Sequence, residues 1–441
     1  MNIRKTTVAA VVASASIASF AAVPEVTSVT MSQASDSRLV TITYTLANAS
    51  GVVTLDVQTN ATADASADDP GWASIGGKAV CNAQGDVWKK IEPGSRTITW
   101  RPDLSWPDHK IADNRARAVV TAWATNNTPD YMVVDITATG GADTQAYYPA
   151  ADFVPRGVTN GLYKTTMLLM RKIMAKDVTW TMGSVAESGR TVARETPHQV
   201  TLANNYYIGV FEVTQTQWEQ ITGYNPSRFK TDQMMRPVEK VCYTDIRQGK
   251  GTAVSAASAT AGVYPADPYG ESFLGLLRTK TTLDFDLPSE AQWEFAARAG
   301  NGEGYWGDGT AIMISSGKDA GLDLLGRYLN NPTSNSTDNP ADTIAPADGG
   351  TAIVGSYAPN AWGLYDVHGN VSELCLDLFV EDITGLNGAV NTTSGTTRVF
   401  RGGSWREEAV YCRPAYRGNG DSSRRYYGNI GFRVVCTAGL Q

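Results

Sequence analysis

The first third of the chain is marked by alternation of hydrophobic and polar positions. Residues 40–46 read VTITYTL and residues 53–57 read VTLDV, with the turn sequence NASG between them. A period of two with Thr, Val and Tyr predicts half-buried β-strands. Two more strands are predicted around Trp100 and Trp123, whose rings we expect in the core. Several short strands in this length are typical of a sandwich of the immunoglobulin or fibronectin III type.

The length of the chain indicates more than one domain, because 441 residues are more than a domain with a single hydrophobic core normally contains. We assign residues 23–154 to the all-β domain, 155–162 to a linker and 163–441 to a second domain. Arg4 and Lys5 precede a short run of Ala, Val, Ile and Phe, which predicts a secretory signal peptide over residues 1–22. No later stretch is apolar for long enough to span a bilayer. We therefore expect an exported protein that is periplasmic, at the cell surface or extracellular.

Composition narrows the chemistry further. The net charge is −7 and the chain has no dense Lys/Arg block, so a nucleic acid is not expected as a partner. Three histidines make a zinc site built on several imidazoles improbable. Five cysteines leave one without a partner if the others pair, and the sequence does not give the pairing.

Two helices are predicted in the second domain. Thr214 stands before a stretch with apolar residues at helical spacing and is expected to be its N-cap. Ser289 and Gly300 are expected to begin and end a second helix, with Trp293 on its buried face. We interpret both helices as scaffold.

Residues 401–433 are rich in Gly, Arg, Tyr and Ser and poor in aliphatic residues. Gly402 and Gly403 allow a sharp turn that a Cβ would hinder. The arginines and tyrosines that follow favour recognition on irregular loops. A turn-rich β-hairpin at the end of a domain has the same composition, and the residues alone leave both readings open.

Motifs along the second domain resemble one family. In order, they are MG, ETPHQV, FEVTQTQW, RPVEKV, LPSEAQWEFAARAG, GLYDVHGNVSE, RGGSW and NIGFR, between about residues 178 and 435. Together they resemble the formylglycine-generating enzyme, or sulfatase-modifying factor, family. The resemblance implies a C-type-lectin-like fold of class α+β, with short strands, two helices and long ordered loops.

Metal ions are also implied by the resemblance. By spacing alone, Asp366 and Glu373 bracket a Gly-Asn turn that suits either an ordinary charged turn or calcium. The family pattern implies two structural Ca²⁺ sites, one at Asp366, Gly369, Val371 and Glu373 and one at Asn330 and Asp348.

The family's chemistry oxidises a substrate cysteine to formylglycine with copper(I) and oxygen, and it uses two cysteines five residues apart. Cu(I) prefers such soft thiolates. Cys412 matches the second cysteine and Ser404 the serine of the preceding turn, which makes these two the implied catalytic residues. Glu407 stands at the first cysteine and Ser372 at the signature tryptophan. Cys412 has a structural alternative as well, a disulfide with a residue such as Cys375.

Because one thiolate is missing, we favour a binding module over an oxidase. Its ligand would be an extracellular peptide, protein or glycan, and sulfatases are possible partners. The binding residues are expected to be Trp405, Arg406, Glu407, Tyr411, Tyr416, Arg417, Arg424, Arg425, Tyr426 and Tyr427. The alternatives are a formylglycine-generating oxidase, for which Cu(I) would be the cofactor, and a ligand-binding protein diversified by a retroelement.

Overall fold

The architecture was taken from a computed structural model of the whole chain. The residues that it describes are 22–111, 114–138, 144–230, 234–248, 267–314, 317–331, 350–392, 395, 397–421 and 428–439. The predicted signal peptide therefore lies outside the described residues, apart from Ala22.

The chain forms two compact units. The first unit holds the described residues up to Val133, Gln145–Asn160 and the end of the chain from Ala438. The second holds Val134–Thr144 and Gly161–Thr437. The boundary at residues 160 and 161 falls inside the predicted linker, whereas the segment Val134–Thr144 had been assigned to the first domain.

Short strands make up most of the regular structure before residue 150. They are β1 Glu25–Gln33, β2 Val40–Ala47, β3 Gly51–Thr59, β4 Ala73–Ser74, β5 Gln84–Gly85, β6 Lys90–Ile91, β7 Gly94–Trp100, β8 Ala116–Ala124, β9 Tyr131–Asp135 and β10 Gln145–Tyr148. Two single-turn helices, α1 Gly77–Val80 and α2 Pro102–Ser105, lie between them.

The strands β1 to β8 form two sheets. One sheet has the order β1-β2-β7-β5, and in the other β3 is flanked by β4, β6 and β8. The alternation along β2 is confirmed, because Val40, Ile42, Tyr44 and Leu46 are buried and the residues between them are not. Strand β3 forms as predicted but is not half-buried, since residues 51–55 are all buried, Thr54 among them. Trp100 is buried as expected, whereas Trp123 is half-buried and donates its Nε1 hydrogen to Thr54 Oγ1. The immunoglobulin or fibronectin III topology stays a prediction.

The second unit mixes strands and helices, and long irregular segments connect them. Its strands are β11 Met167–Ile173, β12 Thr179–Met182, β13 His198–Thr201, β14 Tyr206–Gly209, β15 Ser372–Leu378, β16 Arg398–Arg401, β17 Gly418–Gly420, β18 Ile430–Gly431 and β19 Val435–Thr437. Its α-helices are α3 Gln215–Thr222, α4 Phe273–Thr281, α5 Glu290–Arg298 and α6 Leu322–Leu325. A π-helical turn spans Thr244–Gln248, and 3₁₀ turns lie at Gly161–Lys164 and Ala409–Cys412. A further 3₁₀ turn, Ala151–Phe153, belongs to the first unit.

Both predicted helix starts are confirmed. Thr214 and Ser289 each accept a hydrogen bond from the third helical backbone N–H, and the glutamine at that position bonds back to the cap, which completes a capping box. Helix α5 ends at Ala299 and Gly300, both with positive φ. Helix α4, capped by Ser272, was not predicted.

A four-stranded sheet of order β17-β16-β15-β18 carries the terminal stretch of the chain. Strand β15 is buried along its whole length, with β16 antiparallel on one side and β18 parallel on the other. The core beside it includes Trp293 of α5, Leu364 and Val399. This unit is of class α+β. Among the described residues, no helix combines the length and the apolar character needed to cross a membrane.

Candidate functional site

The candidate site begins at the turn after β16, where Gly402 and Gly403 have φ values of 87° and 67°. Both values lie in the left-handed region that favours glycine. Space is also restricted, because a Cβ on Gly403 would lie 2.6 Å from the Tyr411 carbonyl oxygen and 2.7 Å from the Cys412 sulfur. The sharp turn predicted from these two glycines is confirmed.

Glu407 lies just beyond this turn on a polar floor. Its Oε2 accepts hydrogen bonds from Ser404 Oγ at 3.0 Å and from Ser372 Oγ at 3.1 Å. Asn429, next to β18, donates to Ser404 Oγ at 3.1 Å. Burial raises the pKa of the Glu407 carboxyl, against the opposing effect of the two serine hydroxyls.

The two residues that depart from the family pattern therefore touch each other. Ser372, at the position of the signature tryptophan, donates to Glu407, at the position of the first cysteine. A carboxylate in a confined site needs hydrogen-bond donors. The Ser372 hydroxyl provides one to Glu407 Oε2, whereas a tryptophan at position 372 would have no hydroxyl there. The two departures form one polar arrangement.

Cys412 lies below this floor and is fully buried. Burial, followed by the nearby Glu407 charge, raises the pKa of its thiol well above the ordinary value. The protonated thiol is therefore favoured at neutral pH. The sequence-predicted Ser404 and Cys412 do meet at the Gly402–Gly403 turn, together with Glu407.

His368 fixes the backbone beneath Cys412. Its Nδ1 lies 3.0 Å from the Cys412 carbonyl oxygen, and its Nε2 lies 3.1 Å from the backbone N of Gly307. A carbonyl only accepts and a backbone N–H only donates, so the proton is on Nδ1. Burial lowers the pKa of His368 to about 4, which keeps the ring neutral.

The cysteines do not pair in this structure. All five are free thiols, including Cys375 and Cys412, so the alternative of a disulfide between these two is wrong. Cys375 belongs to β15 and lies in the core, where burial raises the pKa of its thiol. Neither sulfur has the exposure of a reactive cysteine.

Arg406, Tyr411 and Tyr416 form the solvent-facing side of the site. Arg406 is exposed, the exposed fraction of Tyr411 is 38%, and Tyr416 is half-buried. The two tyrosine rings meet edge to face with centroids 5.1 Å apart. Burial and then the Glu407 charge raise the pKa of Tyr416 to about 12, so its phenol stays a neutral donor. We call Arg406, Glu407, Tyr411 and Tyr416 the terminal patch.

Two of the predicted binding residues lie in the interior instead. Trp405 is buried, donates its Nε1 hydrogen to the Gly428 carbonyl oxygen and packs edge-on against Phe229. Arg417 is 2% exposed, and its guanidinium is bidentate on Glu290 with N–O distances of 2.5 and 2.9 Å. Their predicted place on a binding surface is corrected accordingly. The predicted Arg424, Arg425, Tyr426 and Tyr427 lie outside the described residues.

Buried ion pairs tie the terminal stretch to the rest of the unit. Arg413 contacts Glu187 at 3.0 Å and Glu195 at 2.6 Å, with all three side chains almost fully buried. Arg401 pairs in the same way with Glu294 of α5. Sequence analysis missed this network, although the charges at positions 290, 294 and 298 of a helix with a buried face were a signal of it.

The first predicted calcium site contains an ion pair. Both oxygens of Glu373 accept from Arg433, at 2.5 and 2.6 Å, and Oε2 also accepts from Trp293 Nε1 at 2.7 Å. Asp366 Oδ2 accepts from the backbone N–H of Gly355, while the buried Oδ1 has no hydrogen-bond partner. A calcium ion bound by Glu373 would have to displace Arg433, so the donor set in this arrangement does not fit the ion.

The remaining metal predictions concern Gly369, Val371, Asn330 and Asp348. Gly369 and Val371 flank Asn370, and the buried Glu212 accepts from the Asn370 side chain and the Val371 backbone. Asn330 has a buried Oδ1 without a partner, and Asp348 lies outside the described residues. Within the described ranges, no three His, Cys, Asp or Glu side chains group to hold a metal. Calcium binding stays a prediction.

A further buried acid lies beneath the terminal stretch. Oε1 of Glu239 accepts from the backbone N–H groups of Arg228 and Phe229, and Oε2 has no hydrogen-bond partner. A Cβ added to Gly428 would lie 3.5 Å from that Oε2. Burial raises the pKa of Glu239 to about 7.

We expect Glu239→Gln to change how the free energy of unfolding depends on pH. The folded-state pKa is above the unfolded value of about 4.5, so the folded state binds more protons between these values. Stability is therefore lost as pH rises from about 4.5 to about 7. Between pH 5 and 8 the native chain should lose roughly 1–3 kcal/mol more than the variant. Urea unfolding at both pH values measures this difference, and equal losses in the two proteins would contradict it.

Comparison with known proteins places the second unit in a family. Residues 168–438 match the sulfatase-modifying factor enzyme 1-like domain. A chaperone protein LppX of Paenibacillus barcinonensis is 28% identical over 240 residues, 51% of this chain and 77% of that protein. The formylglycine-generating enzyme of Streptomyces coelicolor is 36% identical over 164 residues, 35% of this chain and 47% of that enzyme. The chain thus spans about half the length of that enzyme.

Among solved structures, Treponema denticola variable protein 1 is similar at 26% identity and a TM-score of 0.43. The alignment covers 62% of this chain and 96% of that one. The family match covers more than half of the present chain. The chain therefore belongs to the family of the sulfatase-modifying factor enzyme 1-like domain.

Proposed function

We propose that this protein is an exported binding module of its family, and that the terminal patch takes an extracellular peptide, protein or glycan without oxidising it. The observation that carries the proposal is the Glu407 carboxylate, held by Ser404 and Ser372 at the position of a copper-binding cysteine.

The donor set at this position does not fit copper(I). A carboxylate is a hard ligand, and Cu(I) selects thiolates or thioethers. Cys412 supplies one sulfur, but burial favours its protonated form. Metal binding would require this thiol to lose its proton in a site that already holds the Glu407 charge. No oxidation step is therefore derived from these residues.

The chemistry of the terminal patch supports binding. Tyr411 and Tyr416 offer rigid rings with hydroxyl groups, which provide contact area at a low cost in conformational entropy. Arg406 and Glu407 add a cation and an anion beside them. Buried ion pairs at Arg413 and Arg417 hold the backbone on either side, so the patch is organised before a ligand arrives.

Export and calcium belong to the same proposal. The charged and apolar pattern of residues 1–22 supports export. Structural calcium would require rearrangement of the Glu373–Arg433 pair, and the Asp366 oxygen without a partner is the feature that supports a cation nearby.

An assay for oxidation tests the proposal against its alternative. The full chain is incubated with Cu(I), oxygen and a cysteine-containing peptide from a sulfatase, and the peptide is examined by mass spectrometry. We expect the thiol to survive. Conversion of the peptide cysteine to an aldehyde would establish the oxidase and overturn the proposal.

Binding has its own readout. The protein is applied to peptide and glycan arrays, and Tyr411→Ala is compared with Tyr269→Ala, which removes an exposed tyrosine outside the terminal patch. We expect captured signals to fall by about tenfold for Tyr411→Ala, as loss of an anchoring ring implies, and to stay constant for Tyr269→Ala. Equal signals from both variants would remove the terminal patch from recognition.

A further inference from the structure

The first unit contains a cleft that the terminal patch does not explain. Its volume is about 390 Å³, within the range of about 300–1,000 Å³ typical of small-molecule sites. One side is formed by the turn after β1, and the other by the segment that follows α2. All of its lining residues belong to the first unit.

The floor of the cleft is apolar. Met31, Val40, Val57 and Trp100 line it, and each is buried within the strands that carry it. The Trp100 Nε1 hydrogen is donated to the Ala79 carbonyl oxygen at 2.8 Å, so this indole has no polar group left for a ligand. Such a floor favours a ligand with an apolar body.

One wall is an aromatic pair held in place by its own turn. The Trp106 and His109 rings stack with centroids 3.9 Å apart and an interplanar angle of 11°. His109 Nδ1 lies 2.7 Å from the Pro107 carbonyl oxygen. Because the carbonyl can only accept, Nδ1 carries the proton and the ring orientation is fixed. The outer face of this stack favours a flat ligand.

The charges at the rim favour an anion. Asp103 is already neutralised, since Arg101 binds both of its oxygens at 2.8 and 2.6 Å. Arg38 lies near enough to lower the pKa of Asp103, but forms no ion pair with it. Among the described lining residues, the charged side chains that remain are the cations of Arg38 and Lys110 and the carboxylate of Asp108. A ligand with one negative charge is the complement of this rim.

We propose that the cleft between the β1 turn and the Trp106–His109 stack binds a small organic anion with a flat, apolar ring system. The site is independent of the function proposed for the second unit.

A matched pair of fluorescent probes tests the site in the full chain. The anionic probe is 8-anilinonaphthalene-1-sulfonate, and the neutral one is N-phenyl-1-naphthylamine, which has the same ring system without the sulfonate. Saturable binding of the anion, tighter than that of the neutral probe, is the expected result. Binding that does not saturate, or equal affinity for the two probes, would overturn the proposal.

Variants locate the binding. Arg38→Gln should lower the affinity for the anionic probe about tenfold, because one charged contact is lost, and should leave the affinity for the neutral probe unchanged. Trp106→Ala should lower the affinity for both probes about tenfold. The matched controls are Lys78→Gln and Trp72→Ala, which remove a cation and an indole of the same unit outside the cleft. Circular dichroism confirms that each variant is folded. Controls that weaken binding as much as the cleft variants would refute the assignment.

Discussion

Replacing Arg413 with methionine should lower the free energy of unfolding by about 3–5 kcal/mol, the cost of breaking a buried ion pair. The guanidinium lies between Glu187 and Glu195, at 3.0 and 2.6 Å, and donates to the Val410 carbonyl oxygen at 2.8 Å. Methionine has a similar length but no charge. The variant would therefore leave the buried Glu195 carboxylate without Arg413, and Glu187 would keep only its pair with Arg298, at 3.2 Å.

Arg194→Met provides the control for this result. Arg194 belongs to the same unit and pairs with Glu381 at 2.9 Å, but the side chains are 34% and 62% exposed. Solvent screens such a pair, so the expected loss is below about 1 kcal/mol. Urea unfolding of the native chain and both variants gives the comparison. Equal losses for Arg413→Met and Arg194→Met would show that burial does not set the strength of the Arg413 pairs.

The Arg413 pairs also matter for the terminal patch. Glu187 and Glu195 lie more than two hundred residues before Arg413 in the chain, and the pairs join these distant segments directly beside Tyr411 and Tyr416. Loss of the cation should therefore disturb the patch as well as stability. Tyr411 and Tyr416 would lose the backbone support that organises them.

Local pattern predicted much of the scaffold. Alternation located β2 and β3, and in β2 its cause is the single buried face, which requires hydrophobic residues at every second position. The side chains of Thr214 and Ser289 located the starts of α3 and α5, since a cap side chain bonds to a backbone N–H only three residues further along the chain. The turn at Gly402 and Gly403 was also predictable from local sequence, because it depends on the positive φ angles that glycine adopts without strain.

Long-range contacts account for what the sequence did not predict. Arg417 and Trp405 stand in a stretch that is polar by composition, but Glu290 and the Gly428 carbonyl reach them from elsewhere in the chain. An arginine is almost never fully buried unless it is paired, and Glu290 provides that pairing for Arg417. The contact between Ser372 and Glu407 was hidden likewise, although each residue had been identified alone as a departure from the family pattern.

The Ser372–Glu407 contact leads to the prediction with the largest effect on chemistry. Glu407→Cys would place a second thiol five residues before Cys412, the spacing that the family resemblance implies for copper. We expect the affinity for Cu(I) to rise by more than about a hundredfold, or about 2.8 kcal/mol. The physical reason is the replacement of a hard oxygen ligand by a soft sulfur. Removal of the Glu407 charge also lowers the cost of ionising Cys412, whose pKa that charge helps to raise.

Competition with a Cu(I)-specific chelator measures this affinity, and two further variants separate the causes. Glu407→Ser removes the carboxylate without adding sulfur, so this variant should bind Cu(I) no more tightly than the native chain does. Adding Cys412→Ser to Glu407→Cys leaves one thiol and should abolish the gain. If Glu407→Ser bound as tightly as Glu407→Cys, the charge rather than the missing sulfur would be the obstacle to copper. If the native chain already matched Glu407→Cys, the carboxylate would be no obstacle, and the case for a binding module would lose the observation that carries it.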